Sequence, residues 1–128
     1  PIWDKNDPRI ERALMDGSNR TSLKSSGLKY PNGLAIDFSS NRLYWCDAGQ
    51  DNIGSMSFDG ALIKVHYANL PHPFGLVIYK DKIFWTDWQT ESIYRGSKSR
   101  RRKTVLKKDT ENLYGVRVFA KENQPGTV

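Results

Sequence analysis

Residues 82–92 read Lys82-Ile83-Phe84-Trp85-Thr86-Asp87-Trp88-Gln89-Thr90-Glu91-Ser92, with two tryptophans and a phenylalanine inside five positions and polar residues on both sides. Such a cluster fits a core strand, an aromatic ligand platform or one copy of a repeat. The surrounding sequence separates these. Forty positions earlier stands Leu43-Tyr44-Trp45-Cys46-Asp47, which superposes on Ile83-Phe84-Trp85-Thr86-Asp87. Six residues after each aspartate comes an isoleucine, Ile53 and Ile93. Ahead of each motif lies a glycine in matching context, Pro31-Asn32-Gly33-Leu34 and Pro73-Phe74-Gly75-Leu76, with a third copy at Leu113-Tyr114-Gly115-Val116. Arg9-Ile10-Glu11-Arg12-Ala13-Leu14-Met15-Asp16-Gly17 aligns in turn with the stretch from Asn52 to Gly60. A fixed period of about 40 residues marks a repeat architecture. The aromatics belong to the repeat, and the other two readings live inside it.

Within one period, residues 74–79, 83–87, 92–97 and 103–107 are short, rich in β-branched and aromatic residues, and read as four strands. Asn41-Arg42, Asp59-Gly60 and Lys80-Asp81 punctuate them as tight turns. Four strands in about 40 residues is the spacing of a β-propeller blade, whose small sheet buries both faces against its neighbours. A tryptophan in the second strand then fills the space between sheets, burying on the order of 200 Å². Trp45 and Trp85 are read as core between blades.

The totals bound the remaining possibilities. At 128 residues the chain holds one modest domain, and 38% hydrophobic content suits a folded one. Twenty Lys and Arg against fourteen Asp and Glu give a net charge of +6, which favours acidic partners. No apolar run approaches the roughly 20 residues of a membrane-spanning helix. Pro1 does not open a basic-then-apolar leader, so a mature or excised segment is expected. A single Cys46 excludes an internal disulfide framework. Asn19-Arg20-Thr21 is a glycosylation sequon in a turn-like stretch and leans toward secretion, with Asn19 as the acceptor.

The repeat resembles the YWTD repeats of the low-density lipoprotein receptor family, also called LDL-receptor class B repeats. Tyr44-Trp45-Cys46-Asp47 and Phe84-Trp85-Thr86-Asp87 are near-matches to the name-giving tetrad, and the stretches Pro31–Asp37, Arg9–Arg20 and Leu70–Gly75 are also similar to that family. Cys46 stands where the tetrad has threonine and is read as a small buried residue. Similar domains occur in nidogen and the epidermal growth factor precursor. The resemblance implies an all-β, six-bladed propeller, of which this chain is about half. Residues 1–30 would end one blade, 31–72 and 73–112 would be two further blades, 113–120 a closing strand, and 121–128 an exit linker. Trp3 would correspond to Trp88, so the chain begins inside a blade. Half a ring exposes apolar sheet faces. Another chain supplies the rest, two copies close a ring, or, the favoured reading, the chain is a fragment.

In such a propeller the loops between second and third strands, and between blades, cluster at one channel mouth. Related receptors bind protein and peptide ligands there, and the resemblance carries this to Asn32, Phe74 and Tyr114, just before each repeat glycine. Phe74, Tyr114 and Trp88 are expected as apolar anchors, the kind of residue that dominates binding energy. Asp51, Glu91 and Glu111 are an expected acidic fringe for a basic ligand group. His72 lies on the same face and is suited to change charge between about pH 5 and 8. Asp47 and Asp87 are read as structural. The densest charge run, including Arg100, Arg101, Arg102 and Lys103, lies at the opposite end, as a solvated turn or a heparan sulfate site.

Recognition without a covalent step is the expected function: an extracellular or cell-surface module binding protein or peptide ligands, beside EGF-like modules. A nidogen-like, laminin-binding matrix module or an architectural spacer is the alternative. A metal-dependent propeller hydrolase needs carboxylates converging on the axis, and the innermost strands offer Asp37 and little else. No cofactor or metal is therefore expected. Nucleic acid is disfavoured, because no recognition helix or RNA-binding sheet signature accompanies the basic run.

Overall fold

The structure, a computed structural model, describes residues 1–120. The expected exit linker, 121–128, lies outside the described residues. Three antiparallel sheets follow one another along the chain. The first pairs β1 (Ile10–Arg12) with β2 (Thr21–Lys24), and Ile2 bridges to Arg9 beside them. The second comprises β3 (Pro31–Asp37), β4 (Arg42–Asp47), β5 (Asn52–Ser57) and β6 (Lys64–Tyr67). The third comprises β7 (Pro73–Tyr79), β8 (Lys82–Asp87), β9 (Ser92–Ser97) and β10 (Lys103–Lys107). Each four-stranded sheet is a meander in which every strand pairs only with its sequence neighbours. Tight turns close the β3–β4 and β7–β8 hairpins, with Asn41 and Lys80 left-handed at φ 52 and 53.

The tetrad strands are buried on both faces, which explains their unbroken apolar run. Side chains alternate across a strand. Leu43 and Trp45 of β4 therefore point toward the first sheet, in a core with Ile10, Leu28 and Met56. Tyr44 and Cys46 point the other way, into a second core with Ile53, Tyr67, Leu76, Ile83 and Trp85. Trp45 and Trp85 are 3% and 0% exposed in equivalent positions, each facing the preceding sheet. Trp85 stacks on Tyr94, 5.3 Å between ring centres, and meets Tyr67 at 5.1 Å.

The innermost strands β3 and β7 pack directly on one another. A Cβ at Gly33 would sit 2.6 Å from the Phe74 carbonyl oxygen and 2.8 Å from the Leu76 nitrogen. Gly75 faces the Tyr114 carbonyl in the same way. The repeat glycine is thus the residue that lets neighbouring blades touch backbone to backbone. Both inner strands also break register in the same place, between Pro31 and Leu34 and between Pro73 and Leu76. Such bulges re-aim side chains at the end of a strand.

Residues 113–120, expected as a closing strand, form no ladder. Their start is fastened to the preceding blade, where Thr86 donates to the Tyr114 carbonyl at 3.1 Å and Trp88 to that of Leu113. Strand geometry is held by a paired neighbour, and here Tyr114 and Gly115 instead lie against Gly75 of β7.

Candidate functional site

The aspartate closing each tetrad holds the loop entering its blade. Asp47 accepts backbone N–H groups from Lys29 and Tyr30 at 2.8 and 2.9 Å, and from Gly49 and Gln50 at 2.8 and 2.9 Å. Asp87 accepts from His72 at 2.9 Å and Thr90 at 3.0 Å. Each carboxylate thereby clamps two loops at one end of its sheet, and the structural reading of both holds. One position earlier, Thr86 accepts from Gly75 N–H at 2.8 Å and donates to the next blade. Cys46 repeats the pattern: Gly33 N–H donates to its sulfur at 3.2 Å, and the sulfur lies 3.0 Å from the Phe74 carbonyl. Burial pushes its thiol up to about 12.

Three equivalent carbonyls, Pro31, Pro73 and Leu113, each receive a side-chain donor at this end. The indole of Trp3 donates to Pro31, and that of Trp88 to Leu113. The shared bond supports the correspondence of Trp3 with Trp88. In the middle blade Ala48 stands where the indole would be, and the amide of Asn32 donates to Pro73 at 2.9 Å instead. Asn32 is only 7% exposed. Its nitrogen is engaged between blades, so the anchor expected for a ligand backbone serves the scaffold here.

At this end of the sheets His72, Trp88, Phe74, Tyr114 and Trp3 form a row of rings. His72 stacks on Trp88 at 5.4 Å, and Trp88 on Phe74 at 4.5 Å with the rings 14° from parallel. Tyr114 meets both Phe74 and Trp88 edge-on, at 5.9 and 5.4 Å. Trp3 joins the far side of Phe74 at 6.4 Å. Tyr114 and Trp3 are 59% and 64% exposed and Trp88 39%, whereas Trp85 three residues away is buried. Beside the row a cleft of about 310 Å³ is lined by Trp88, Glu91, Thr110, Glu111, Asn112, Leu113 and Tyr114. Four of the expected residues therefore line one cleft, and Phe74 and His72 stack beside it.

Asp51 does not join them. It occupies the left-handed position of the β4–β5 turn, φ 54, where its carbonyl accepts Leu70 N–H at 2.9 Å. Glu91 has the same conformation and role one repeat later, with Thr110 donating at 3.0 Å. Trp3, not among the residues expected at the site, joins the same aromatic row. Its signal was its correspondence with Trp88, which predicts the same place on the mouth.

No protein-family model matches the chain. Curated relatives do. Over 126 residues it is 37% identical to the sortilin-related receptor of Mus musculus, covering 98% of this chain. It is 42% identical over 120 residues to the low-density lipoprotein receptor-related protein 5 of Homo sapiens, covering 93% of this chain. The vitellogenin receptor Yl of Drosophila melanogaster is 35% identical over 122 residues, covering 94%. The chain is a YWTD, or LDL-receptor class B, repeat region. It spans only 6% of the mouse and fly receptors and 7% of the human one.

Among solved structures, a nidogen–laminin complex aligns with this YWTD region at TM-score 0.78 and 30% identity, over 88% of this chain and 44% of that one. A virginiamycin B lyase from Staphylococcus aureus aligns at TM-score 0.65 and 23% identity, over 84% and 37%, a likeness of fold alone. The YWTD region is part of a β-propeller, homologous to regions of receptors.

The opposite end of the YWTD region carries the basic run. Arg100, Arg101, Arg102 and Lys103 are exposed on and beside the β9–β10 turn. Lys98 reaches Asp37 of β3 at 2.5 Å, so the carboxylate that the innermost strands offered for metal chemistry is engaged by an ammonium and by Ser39 and Ser40 at 2.6 and 2.5 Å. Asn19 is exposed in the β1–β2 connection at φ 52.

Proposed function

We propose that this propeller segment is an extracellular recognition module of a cell-surface receptor. It binds a protein or peptide segment that presents a basic side chain beside an apolar one. The observation that carries this reading is the row of exposed Trp3, Trp88 and Tyr114 around half-buried Phe74, alongside a cleft holding Glu91 and Glu111. Aromatic rings supply area at low entropic cost, and aromatic residues are enriched among binding hot spots. The two carboxylates favour a lysine or arginine, which the adjacent ring faces also attract. His72 borders the site through its stack on Trp88, Asp51 lies outside it, and no covalent step or cofactor is involved.

The test is selection of peptides from a random library on the ectodomain containing this region. Enriched peptides are expected to carry a basic residue next to an aliphatic or aromatic one. Tyr114→Ala and Glu111→Gln should each weaken them by more than about 1 kcal/mol, the usual mark of an important interface residue. Both residues lie off the blade core, so melting temperature should hold. Peptides that bind these variants as tightly as the parent would refute the site.

A second reading is favoured by one observation. The solved structure aligned at TM-score 0.78 is a nidogen in complex with laminin. A matrix module that docks another extracellular protein through the same mouth is the alternative, and EGF-like neighbours suit either.

A further inference from the structure

The basic turn is an ordered structure, held from inside by a residue of the preceding blade. Tyr67 of β6 inserts its hydroxyl into the loop Ser97–Arg102. There it lies 2.9, 3.0 and 2.9 Å from the carbonyl oxygens of Ser97, Arg100 and Arg102. Ser97 N–H donates to it at 2.8 Å. Gly96 makes room, because a Cβ there would fall onto the Tyr67 hydroxyl. With its carbonyls turned inward on one phenol, the turn displays the side chains of Arg100, Arg101 and Arg102 to solvent.

Two clefts adjoin this turn. One, about 460 Å³, is lined by Lys82, Arg95, Arg100 and Arg102, with Asp81 its single carboxylate. The other, about 550 Å³, shares Asp81 and Ser99 with it and continues past Lys98 and Lys80 to Arg42 and Lys64. Their two carboxylates are already taken: Asp81 pairs with Lys82 at 2.7 Å, and Asp37 with Lys98 at 2.5 Å. The two clefts adjoin at Asp81 and Ser99, and lysine and arginine side chains line both from one blade to the next.

We infer that the β9–β10 turn and the groove beside it form a binding site for a sulfated glycosaminoglycan chain. A groove of this kind suits a linear polyanion, and guanidinium forks match the planar oxygen pairs of sulfate groups as they match phosphate. Tyr67 fixes the backbone that carries the arginines, which lowers the entropic cost of ordering the turn on binding. Release of the polymer's counterions supplies a salt-dependent driving force, as with other polyelectrolytes. The site uses the extracellular placement proposed above but shares no residue with the mouth.

The experiment is heparin chromatography and surface plasmon resonance on the ectodomain containing this region. The triple variant Arg100→Ser, Arg101→Ser, Arg102→Ser is compared with the parent and with Trp88→Ala. The triple variant should elute at lower salt, and its plot of log affinity against log salt should flatten by about 2. Trp88→Ala should elute with the parent even where it loses peptide binding, which separates this site from the mouth. Fully desulfated heparin should compete at least tenfold less well than heparin. Equal elution of the triple variant and parent would overturn the proposal. So would equal competition by the desulfated polymer, or loss by the variant of binding to phosphatidylserine vesicles and not to heparin.

Discussion

Cys46 shows how far one atom type can stand in for another. Thr86 links its own blade's glycine N–H to the next blade's carbonyl at 2.8 and 3.1 Å, and Cys46 does the same through sulfur at 3.2 and 3.0 Å. With its thiol pushed up to about 12 by burial, the side chain stays neutral and unreactive under ordinary conditions. Cys46→Thr should therefore keep or raise the melting temperature. Cys46→Ala leaves Gly33 N–H and the Phe74 carbonyl without this partner and should cost about 1–3 kcal/mol. Thiol labelling at pH 8 should be slow in the native protein and fast in denaturant. Rapid native labelling would show that the blades part at this contact.

Between elements, the two tryptophans of KIFWTDW do different work. Trp85 is enclosed by Tyr67 and Tyr94, so Trp85→Ala should cost about 3–5 kcal/mol, read by thermal or denaturant unfolding. Trp88 lies half open on the mouth, and Trp88→Ala should cost clearly less. Equal losses would mean that the mouth aromatics are core. The strands and this burial were legible in the sequence because a 40-residue period and alternation fix both. The swap of an indole for the Asn32 amide at Pro73 was not, because it depends on which donor reaches a carbonyl across a blade boundary. The unpaired run 113–120 was equally hidden: a strand's sequence pattern does not reveal whether a partner strand is beside it.

A second tie between the blades predicts pH dependence. His66 of β6 bonds Ser55 at 2.8 Å and the Lys98 carbonyl at 3.1 Å, stacked on Tyr44. Burial lowers its pKa, the Lys98 carbonyl partly offsets this, and the charges of Lys64, Arg42 and Lys98 lower it further. The unfolded chain then takes up a proton near pH 6.5 before the folded one does, so stability should fall as pH drops through that value. Asp37 acts lower on the scale. Burial alone would raise its pKa, but hydrogen bonds from Lys98, Ser39 and Ser40 and the Lys98 charge hold it well below the carboxylate range. Its contribution is present above about 3.8 and lost as pH falls further. His66→Gln should flatten melting temperature against pH between about 5 and 6.5. An unchanged slope there would remove His66 as its cause.

At the scale of the whole molecule, the surface itself shows where association is favoured. An apolar groove of about 760 Å³ runs between the two-stranded sheet and the second sheet, walled by Leu23, Leu34, Ile36, Phe38, Leu43 and Phe58. Phe38 and Ile36 stand 77% and 53% exposed. Open apolar surface on this scale draws a partner out of water, because each Å² removed contributes about 25 cal/mol. The 128-residue chain produced alone should therefore self-associate with rising concentration and bind a hydrophobic dye, measured by sedimentation and fluorescence. Phe38→Glu with Ile36→Glu should reduce both while the melting temperature holds, since neither residue belongs to the core around Trp85. In a longer protein whose flanking sequence covers this groove, the same pair should instead lower the melting temperature, because the charges would be buried. A monomeric, dye-free chain at high concentration would mean that the groove is ordinary wetted surface and that this end of the sheet stack needs no neighbour.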